Sequence, residues 1–380
     1  MGPQTVPATS NGYGLRHHDR PTATPMSGCN LGPVTRYLIT GGAGFIGSHL
    51  AEALLVQGDE VSVLDSLSTG RFSNLAGVHD SPRFSFTQGS VLDELAVDQA
   101  VRGCDVVVHL AAAVGVKLIV EQPLYSLTTN IKGAITVLEA AHRYRRKVMV
   151  ASSSEIYGKN NSGPLNEQSD RVLGSPTVAR WAYSTSKAVD EILAYAYYHE
   201  RDLPTIVVRL FNTVGPRQSP AYGMVIPRLV RQAVASEPLT VYGDGSQTRC
   251  FCHVADVVDG LIRLLHEPRA EGDVFNIGGT EEISIQQLAE LIIVTTGSSS
   301  SIVHLPYEVA YEVGFEDMAR RVPDVTKVGK LTGWRSERNL ADILDDVIAE
   351  VLRDSGSQSW TDDGSVASST SLSRTVPDDA

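Results

Sequence analysis

The amino-acid sequence predicts an α/β protein built on a doubly wound parallel sheet, followed by a smaller mixed α/β region. Strand-like and helix-like runs alternate between residues 35 and 210, a pattern that favours a parallel sheet covered by helices on both faces. A glycine-rich turn joins the first strand to the first helix, and the second strand ends in a carboxylate. The 380-residue chain is also long enough to bury a large core.

The predicted sheet contains six apolar runs, in chain order Arg36–Ile39, Val61–Asp65, Arg83–Thr87, Asp105–Leu110, Lys147–Ser152 and Thr205–Leu210. The helical patterns between them are Phe45–Val56, Leu92–Val101, Leu124–Tyr144 and Trp181–Glu200. Ligands of such sheets bind beyond the carboxyl ends of the strands. We therefore expect a nucleotide-binding domain over residues 35–210, to which a later strand near 273–277 returns.

Residues 211–354 contain more Gly and Pro and shorter strand-like runs, so we expect a smaller region that closes over the ligand. Its predicted helices and strand are Val225–Ser236, Ile285–Thr295, Leu340–Leu352 and Leu239–Tyr242. The segments 1–34 and 355–380 are rich in small and polar residues. We expect both to be disordered extensions, the first without the apolar run of a signal peptide.

Composition argues against two classes of partner. The net charge of −12 disfavours binding to nucleic acid or to an anionic membrane, because such surfaces carry excess Lys and Arg. The longest apolar region, Val106–Val120, is too short to span a bilayer and is interrupted by His109 and Lys117. The four cysteines lack the spacing of a metal site, so we expect reduced thiols and a cytoplasmic protein.

Gly41, Gly44 and Gly47 are spaced three apart between the first strand and the first helix. Glycines at this spacing allow a sharp turn, close approach of a pyrophosphate, and tight packing of helix on strand. The helix start at Phe45 and Ile46 then presents free N–H groups to phosphates. Asp65, about 20 residues further on, is placed to bind a ribose hydroxyl and would repel the 2′-phosphate of NADP. This predicts a Rossmann-type site for NAD, with a purely structural turn as the alternative.

Tyr183 and Lys187 lie four residues apart in a helical run and therefore share one face. A tyrosine with a pKa near ~10 is a poor base at neutral pH. A charged lysine one turn away lowers that pKa toward the working range. The same spacing also arises by chance on amphipathic helices. Here the hydroxyl cluster Ser152–Ser154 ends the preceding strand and favours the catalytic interpretation.

These motifs resemble the extended short-chain dehydrogenase/reductases that act as nucleotide-sugar epimerases, dehydratases and decarboxylases, UDP-glucose 4-epimerase among them. The resemblance extends in order from about residue 36 to residue 352. The matching segments are Thr40–Gly47, His109–Ala112, Asn130–Gly133, Ser152–Gly158, Tyr183–Lys187, Arg209–Arg217, Val241–Arg249 and Arg321–Asp324. The family uses NAD, binds a nucleotide sugar and commonly forms homodimers.

The resemblance implies roles for single residues. Ser153 and Tyr183 would contact the sugar 4-hydroxyl, and Lys187 would also hold the nicotinamide ribose. The cofactor would be lined by Leu110, Ala111, Ala112 and Val91, although Ser90 replaces the usual Asp beside Val91. The substrate would be bound by Ser153, Ser154, Asn212, Arg249 and Arg321, and the two arginines could instead form surface ion pairs.

In this family Tyr183 would remove the 4-hydroxyl proton while hydride passes from C4 to NAD, giving a 4-keto sugar. Return of hydride to the other face would produce a 4-epimer, which is the outcome that we place first. Ser154-Glu155 resembles the pattern of the decarboxylases, so loss of carbon dioxide from a uronic acid is the main alternative. In 4,6-dehydratases Asp precedes this Glu, and Ser154 stands in its place here, which weighs against that activity. Glu155 could also be only a wall of the pocket. The alternative from another class is a non-catalytic NAD-binding scaffold.

A homodimer is expected from the same resemblance. Leu124–Tyr144 and Trp181–Glu200 carry apolar residues on more than one face, and related enzymes dimerise through these two helices.

Overall fold

The structure is a computed structural model that describes residues 33–219, 224–306 and 318–358. The predicted N-terminal extension lies outside these ranges up to residue 32, and so does the predicted tail from residue 359. Within the described ranges, no helix is both long enough and apolar enough to cross a membrane.

A seven-stranded sheet forms the centre of the fold, and every adjacent pair of strands in it is parallel. In spatial order the strands are Asp273–Ile277, Thr205–Leu210, Lys147–Ser153, Val106–His109, Arg36–Thr40, Glu60–Asp65 and Phe84–Gln88. The strand order reverses at Arg36–Thr40, which lies between Val106–His109 on one side and Glu60–Asp65 on the other. The predicted doubly wound sheet is confirmed, and the crevice at this reversal is where ligands of such folds bind.

Helices cover both faces of the sheet. One face buries Phe45–Gln57 together with Val254–Leu265, whose leucines and valines share one apolar cluster. The other face buries Glu94–Arg102, Pro123–Tyr144 and Arg180–Arg201. A short helix, Val116–Glu121, follows Gly115 and was not predicted, because the apolar run around it resembles a continuing strand. Short 3₁₀ turns occupy Phe72–Leu75, Ser154–Tyr157 and Pro268–Ala270.

Within its described residues, the later part of the chain adds three small sheets. The strand Thr248–Cys250 pairs with Glu282–Ser284 on one side and Arg320–Arg321 on the other. The other two pairs are Leu239–Tyr242 with Ile302–Leu305, and Thr213–Val214 with Cys252–His253.

The remaining helices of the described ranges are Val225–Val234, Ile285–Thr296, Thr326–Thr332 and Leu340–Gln358. A second apolar cluster joins three of them through Leu229, Leu288 and Leu344. The last helix extends past residue 355, where the sequence predicts a disordered tail. Its polar final turn continues a helix already nucleated by the buried residues before it.

Candidate active site

A cavity of about 780 Å³ lies at the carboxyl ends of the parallel strands, between the large sheet and the later region. Every site residue predicted from the sequence lines it. On the cofactor side these are Gly41, Gly44, Phe45, Ile46, Gly47, Asp65, Val91, Leu110, Ala111 and Ala112. On the substrate side they are Ser153, Ser154, Glu155, Tyr183, Lys187, Asn212, Arg249 and Arg321.

The glycine turn has the geometry of a phosphate cradle. Gly41 has φ +74°, and a Cβ built there would lie 2.7 Å from the backbone nitrogen of Ala111. A Cβ on Gly47 would lie 2.5 Å from the carbonyl oxygen of Gly41. No side chain caps the helix that begins at Phe45, so its first N–H groups remain available to an anion. The turn therefore fits a pyrophosphate approached by backbone atoms.

Asp65 ties this turn to the end of the second strand. Its carboxylate accepts hydrogen bonds from the backbone N–H of Ala43 at 2.9 Å and of Leu67 at 2.8 Å. Burial raises the pKa of Asp65, and these two hydrogen bonds oppose the rise. Since each carboxylate oxygen can accept further hydrogen bonds, the geometry fits a ribose diol and disfavours a 2′-phosphate.

Tyr183 and Lys187 are both buried on the helix Arg180–Arg201, and the nearby Ser153 hydroxyl helps to lower the pKa of the Tyr183 phenol. Burial raises the pKa of Tyr183, while the charge of Lys187 lowers it, and the net direction is upward. Lys187 lowers this pKa as predicted, but in the protein alone the net pKa stays above its ordinary value, because the desolvation of a phenolate in this pocket outweighs one nearby ammonium.

Glu155 lies in the 3₁₀ turn after the strand Lys147–Ser153, between two arginines. Arg321 donates to one of its oxygens at 2.5 Å, and Arg180 lies 3.5 Å from the other. Burial opposes ionisation of Glu155, but the charges of Arg180 and Arg321 outweigh it and lower its pKa to about 2. Glu155 is therefore a carboxylate at every ordinary pH.

The small three-stranded sheet brings the predicted arginines together. Arg249 and Arg321 are direct neighbours in the parallel pairing of Thr248–Cys250 with Arg320–Arg321. The second guanidinium nitrogen of Arg321 donates to the Asn212 side chain at 2.8 Å. Asn212, Glu155 and Arg321 are thus one hydrogen-bonded chain along the cavity wall. The surface ion pairs considered as the alternative for these arginines are excluded by their burial.

Arg180 is a site residue that sequence reasoning missed. It lines the cavity, is buried, and lies three residues before Tyr183 on the same helix. This spacing places Arg180 and Tyr183 on one helical face and could have identified it. Arg228 and Tyr242 were also missed. They line the same cavity, with the Arg228 guanidinium 4.7 Å from the centre of the Tyr242 ring.

Comparisons with known proteins show the family to which this chain belongs. The model of the NAD dependent epimerase/dehydratase family matches residues 37–278. A UDP-N-acetyl-alpha-D-glucosaminuronate decarboxylase of Bacillus cytotoxicus is 42% identical over 300 residues, covering 78% of this chain and 91% of that protein. UDP-glucuronic acid decarboxylase 1 of Xenopus tropicalis is 36% identical, covering 79% and 68%.

A similar solved structure is the UDP-glucuronic acid 4-epimerase of Bacillus cereus in complex with UDP-glucuronic acid and NAD. It shares 29% identity and a TM-score of 0.75, covering 84% of this chain and 99% of that one. The predicted cofactor, NAD, is thereby confirmed, and the protein is an enzyme of the nucleotide-sugar type. The chain belongs to the NAD dependent epimerase/dehydratase family.

Proposed function

We propose that the protein is an NAD-dependent decarboxylase of a UDP-linked uronic acid. The observation that carries the proposal is the cluster of Glu155 with Arg180 and Arg321, buried beside Tyr183 on the cavity wall. A neutral hexose offers no group that requires two buried cations. A sugar with a carboxylate at C6 does, since guanidinium groups bind carboxylates in a planar, bidentate manner.

Bound NAD would take a hydride from C4 of the sugar and later return it. The chain's own residues prepare that step. The Tyr183 phenolate would accept the proton of the 4-hydroxyl, with the Ser153 hydroxyl holding the same oxygen. Lys187 lies one turn along the helix and stabilises the phenolate. Decarboxylation, 4-epimerisation and 4,6-dehydration would all use these roles, because each reaction begins with oxidation at C4.

Oxidation at C4 makes the substrate a β-keto acid, because C4 carries the ketone and C5 carries the C6 carboxylate. The bond between C5 and C6 can then break, and carbon dioxide leaves while the electron pair is delocalised onto the 4-oxygen. A proton from water would then add to C5 and restore the 4-ketone before hydride returns to C4. Ser153 and Tyr183 face the 4-oxygen and would stabilise its developing charge. Glu155, ionised throughout, would act as a fixed charge that orients Arg180 and Arg321 rather than as a proton donor.

The order of the two main alternatives changes from that expected from the sequence. Two curated relatives named decarboxylases and the arginine pair both support decarboxylation over simple 4-epimerisation. A second candidate is a 4-epimerase of a uronic acid, which the similarity to the Bacillus cereus enzyme supports. Such an enzyme would use the same cations to bind the carboxylate without cleaving it.

The test is to incubate the protein and NAD with UDP-glucuronate, UDP-N-acetylglucosaminuronate and UDP-glucose, and to analyse the products by mass spectrometry and NMR. We expect loss of carbon dioxide from a uronate and no reaction of UDP-glucose. An unchanged mass with inverted C4 would contradict the proposal and favour the uronate epimerase, and loss of water would favour a dehydratase. Tyr183→Phe is the control, and its turnover should fall at least about a hundredfold.

We also propose a homodimer formed by the helices Pro123–Tyr144 and Arg180–Arg201, which pack side by side on one face of the sheet. Apolar side chains on both helices are exposed in the single chain. They are Leu124, Tyr125, Ile192 and Tyr195, of which Ile192 is 64% and Tyr195 60% exposed. Burying such a patch against a second copy would remove it from water.

A further inference from the structure

We propose that Asp190 is a positioning residue that keeps the Lys187 ammonium charged and oriented, and thereby sets the pH range in which Tyr183 can act as a base. The inference rests only on the proposed oxidation at C4, which decarboxylation and epimerisation share. Tyr183, Lys187 and Asp190 occur at spacings of four and three residues on the helix Arg180–Arg201, so they form a row along one face.

The contacts of Lys187 leave it little freedom. Its ammonium donates to the backbone oxygen of Ala151 at 2.9 Å and to one oxygen of Asp190 at 3.1 Å. An ammonium has three N–H donors, so one is left for the phenolate or for a ribose hydroxyl. Because the other two are directed into the protein, the third has a defined direction.

The pair is fully removed from solvent, with side-chain exposures of 3% for Lys187 and 0% for Asp190. A buried lysine without a partner tends to lose its proton. Here burial lowers the pKa of Lys187, but the Asp190 carboxylate, together with Tyr183 and Glu191, more than compensates, and the net direction is upward. The lysine can therefore remain charged even when a cationic nicotinamide is nearby.

Asp190 has no evident structural task apart from this contact. Its second oxygen is buried and, among the residues that the structure describes, has no hydrogen-bond partner. Asp256 shows the contrast, because its carboxylate accepts hydrogen bonds from the backbone N–H groups of Glu337 and Arg338 and from the Arg338 side chain. Asp256 therefore holds the backbone at Glu337 and Arg338 in place, whereas the Asp190 carboxylate contacts Lys187.

Other charged groups also act on this row of side chains. The neighbouring Glu191 is held by Arg209 in a two-contact ion pair. His109, on the adjacent strand Val106–His109, is kept neutral by burial and by the charge of Lys187, which lower its pKa to about 3. Glu155 raises the pKa of Tyr183, as Asp190 does. Asp190 alone among these acids touches the lysine within the described part of the chain.

The test is the pH dependence of kcat for the NAD-loaded enzyme with UDP-glucuronate, in wild type and Asp190→Asn. Removing this negative charge lowers the pKa of both Tyr183 and Lys187. We therefore expect the rising and the falling limbs of the profile to move to lower pH, by about one pH unit. Asp256→Asn is the matched control, a buried aspartate paired with an arginine, and its limbs should not move.

A uniform loss of kcat with unmoved limbs would overturn the inference. If Asp190→Asn does not fold, the melting temperatures of two other variants are compared. One is Lys187→Met, and the other combines Lys187→Met with Asp190→Leu. The single variant buries an unpaired carboxylate, so the double variant should melt higher, and an equal or lower melting temperature would also overturn it. If the wild type converts no uronate at all, the proposed function fails, while the melting comparison still tests the pair.

Discussion

Replacing Glu155 with Gln removes one negative charge and little volume from the arginine cluster. The pKa of this group is lowered from 4.5 to about 2 in the fold, since the charges of Arg180 and Arg321 outweigh the effect of burial. At about 1.4 kcal/mol per pKa unit, the ionised carboxylate contributes roughly 3 kcal/mol to folding at neutral pH. The free energy of unfolding of Glu155→Gln should be lower by a similar amount.

The sign of the pH dependence follows from the lowered pKa. The contribution of Glu155 is fully present above about pH 4.5 and is lost as the pH falls toward 2. The difference between wild type and variant should therefore be largest at neutral pH and shrink in acid. Urea unfolding at pH 7 and at pH 3, followed by circular dichroism, measures both values.

Glu52→Gln is the control for that measurement. Glu52 also pairs with an arginine, at 2.6 Å to Arg217, but its side chain is 30% exposed. A pair of this kind contributes up to about 1 kcal/mol. If Glu155→Gln and Glu52→Gln cost the same at pH 7, or if the Glu155→Gln difference grows in acid, the reasoning about the arginine cluster is refuted.

Two further predictions follow from the site and from the proposed dimer. In Arg180→Met, the dissociation constant for UDP-glucuronate should rise about tenfold while that for UDP-glucose changes little, because a charge-assisted contact to the carboxylate is lost. Calorimetry measures both constants, and an equal effect on the two sugars would contradict the assigned role. Ile192→Glu should convert a dimer to monomers in light scattering, whereas Glu200→Gln at the end of the same helix should leave the mass unchanged. A wild type that is monomeric at every concentration would contradict the dimer.

Local patterns in the sequence were sufficient for the sheet and for the cofactor side of the crevice. The glycine spacing, the acid at Asp65 and the alternation of strands and helices are all short-range signals. They predict the sheet because parallel strands joined by helices allow few arrangements. The pairing of Arg249 with Arg321 has no such signal, since it joins strands that are more than seventy residues apart in sequence.

The electrostatics of the site depend on burial, which sequence reasoning does not supply. The rule that a lysine lowers the pKa of a nearby tyrosine is correct for the pair Tyr183 and Lys187, and the structure retains that effect. The net direction is set by desolvation in the completed fold and by carboxylates brought in by other elements. Glu155 was identified, but the partner that fixes its charge, Arg321, comes from a strand 166 residues later.

The distribution of charge supports an anionic sugar in particular. The chain as a whole carries a net charge of −12, so its long-range field repels a nucleotide sugar. At the sugar end of the cavity, the charges of Arg180, Arg321 and Arg249 all act on the Glu155 carboxylate. A pyrophosphate alone does not require cations this close to Tyr183, since that residue must face the sugar ring. The guanidinium groups beside the proposed base are therefore well matched by a carboxylate on the sugar itself. That carboxylate is attached to C5, the neighbour of the oxidised carbon C4.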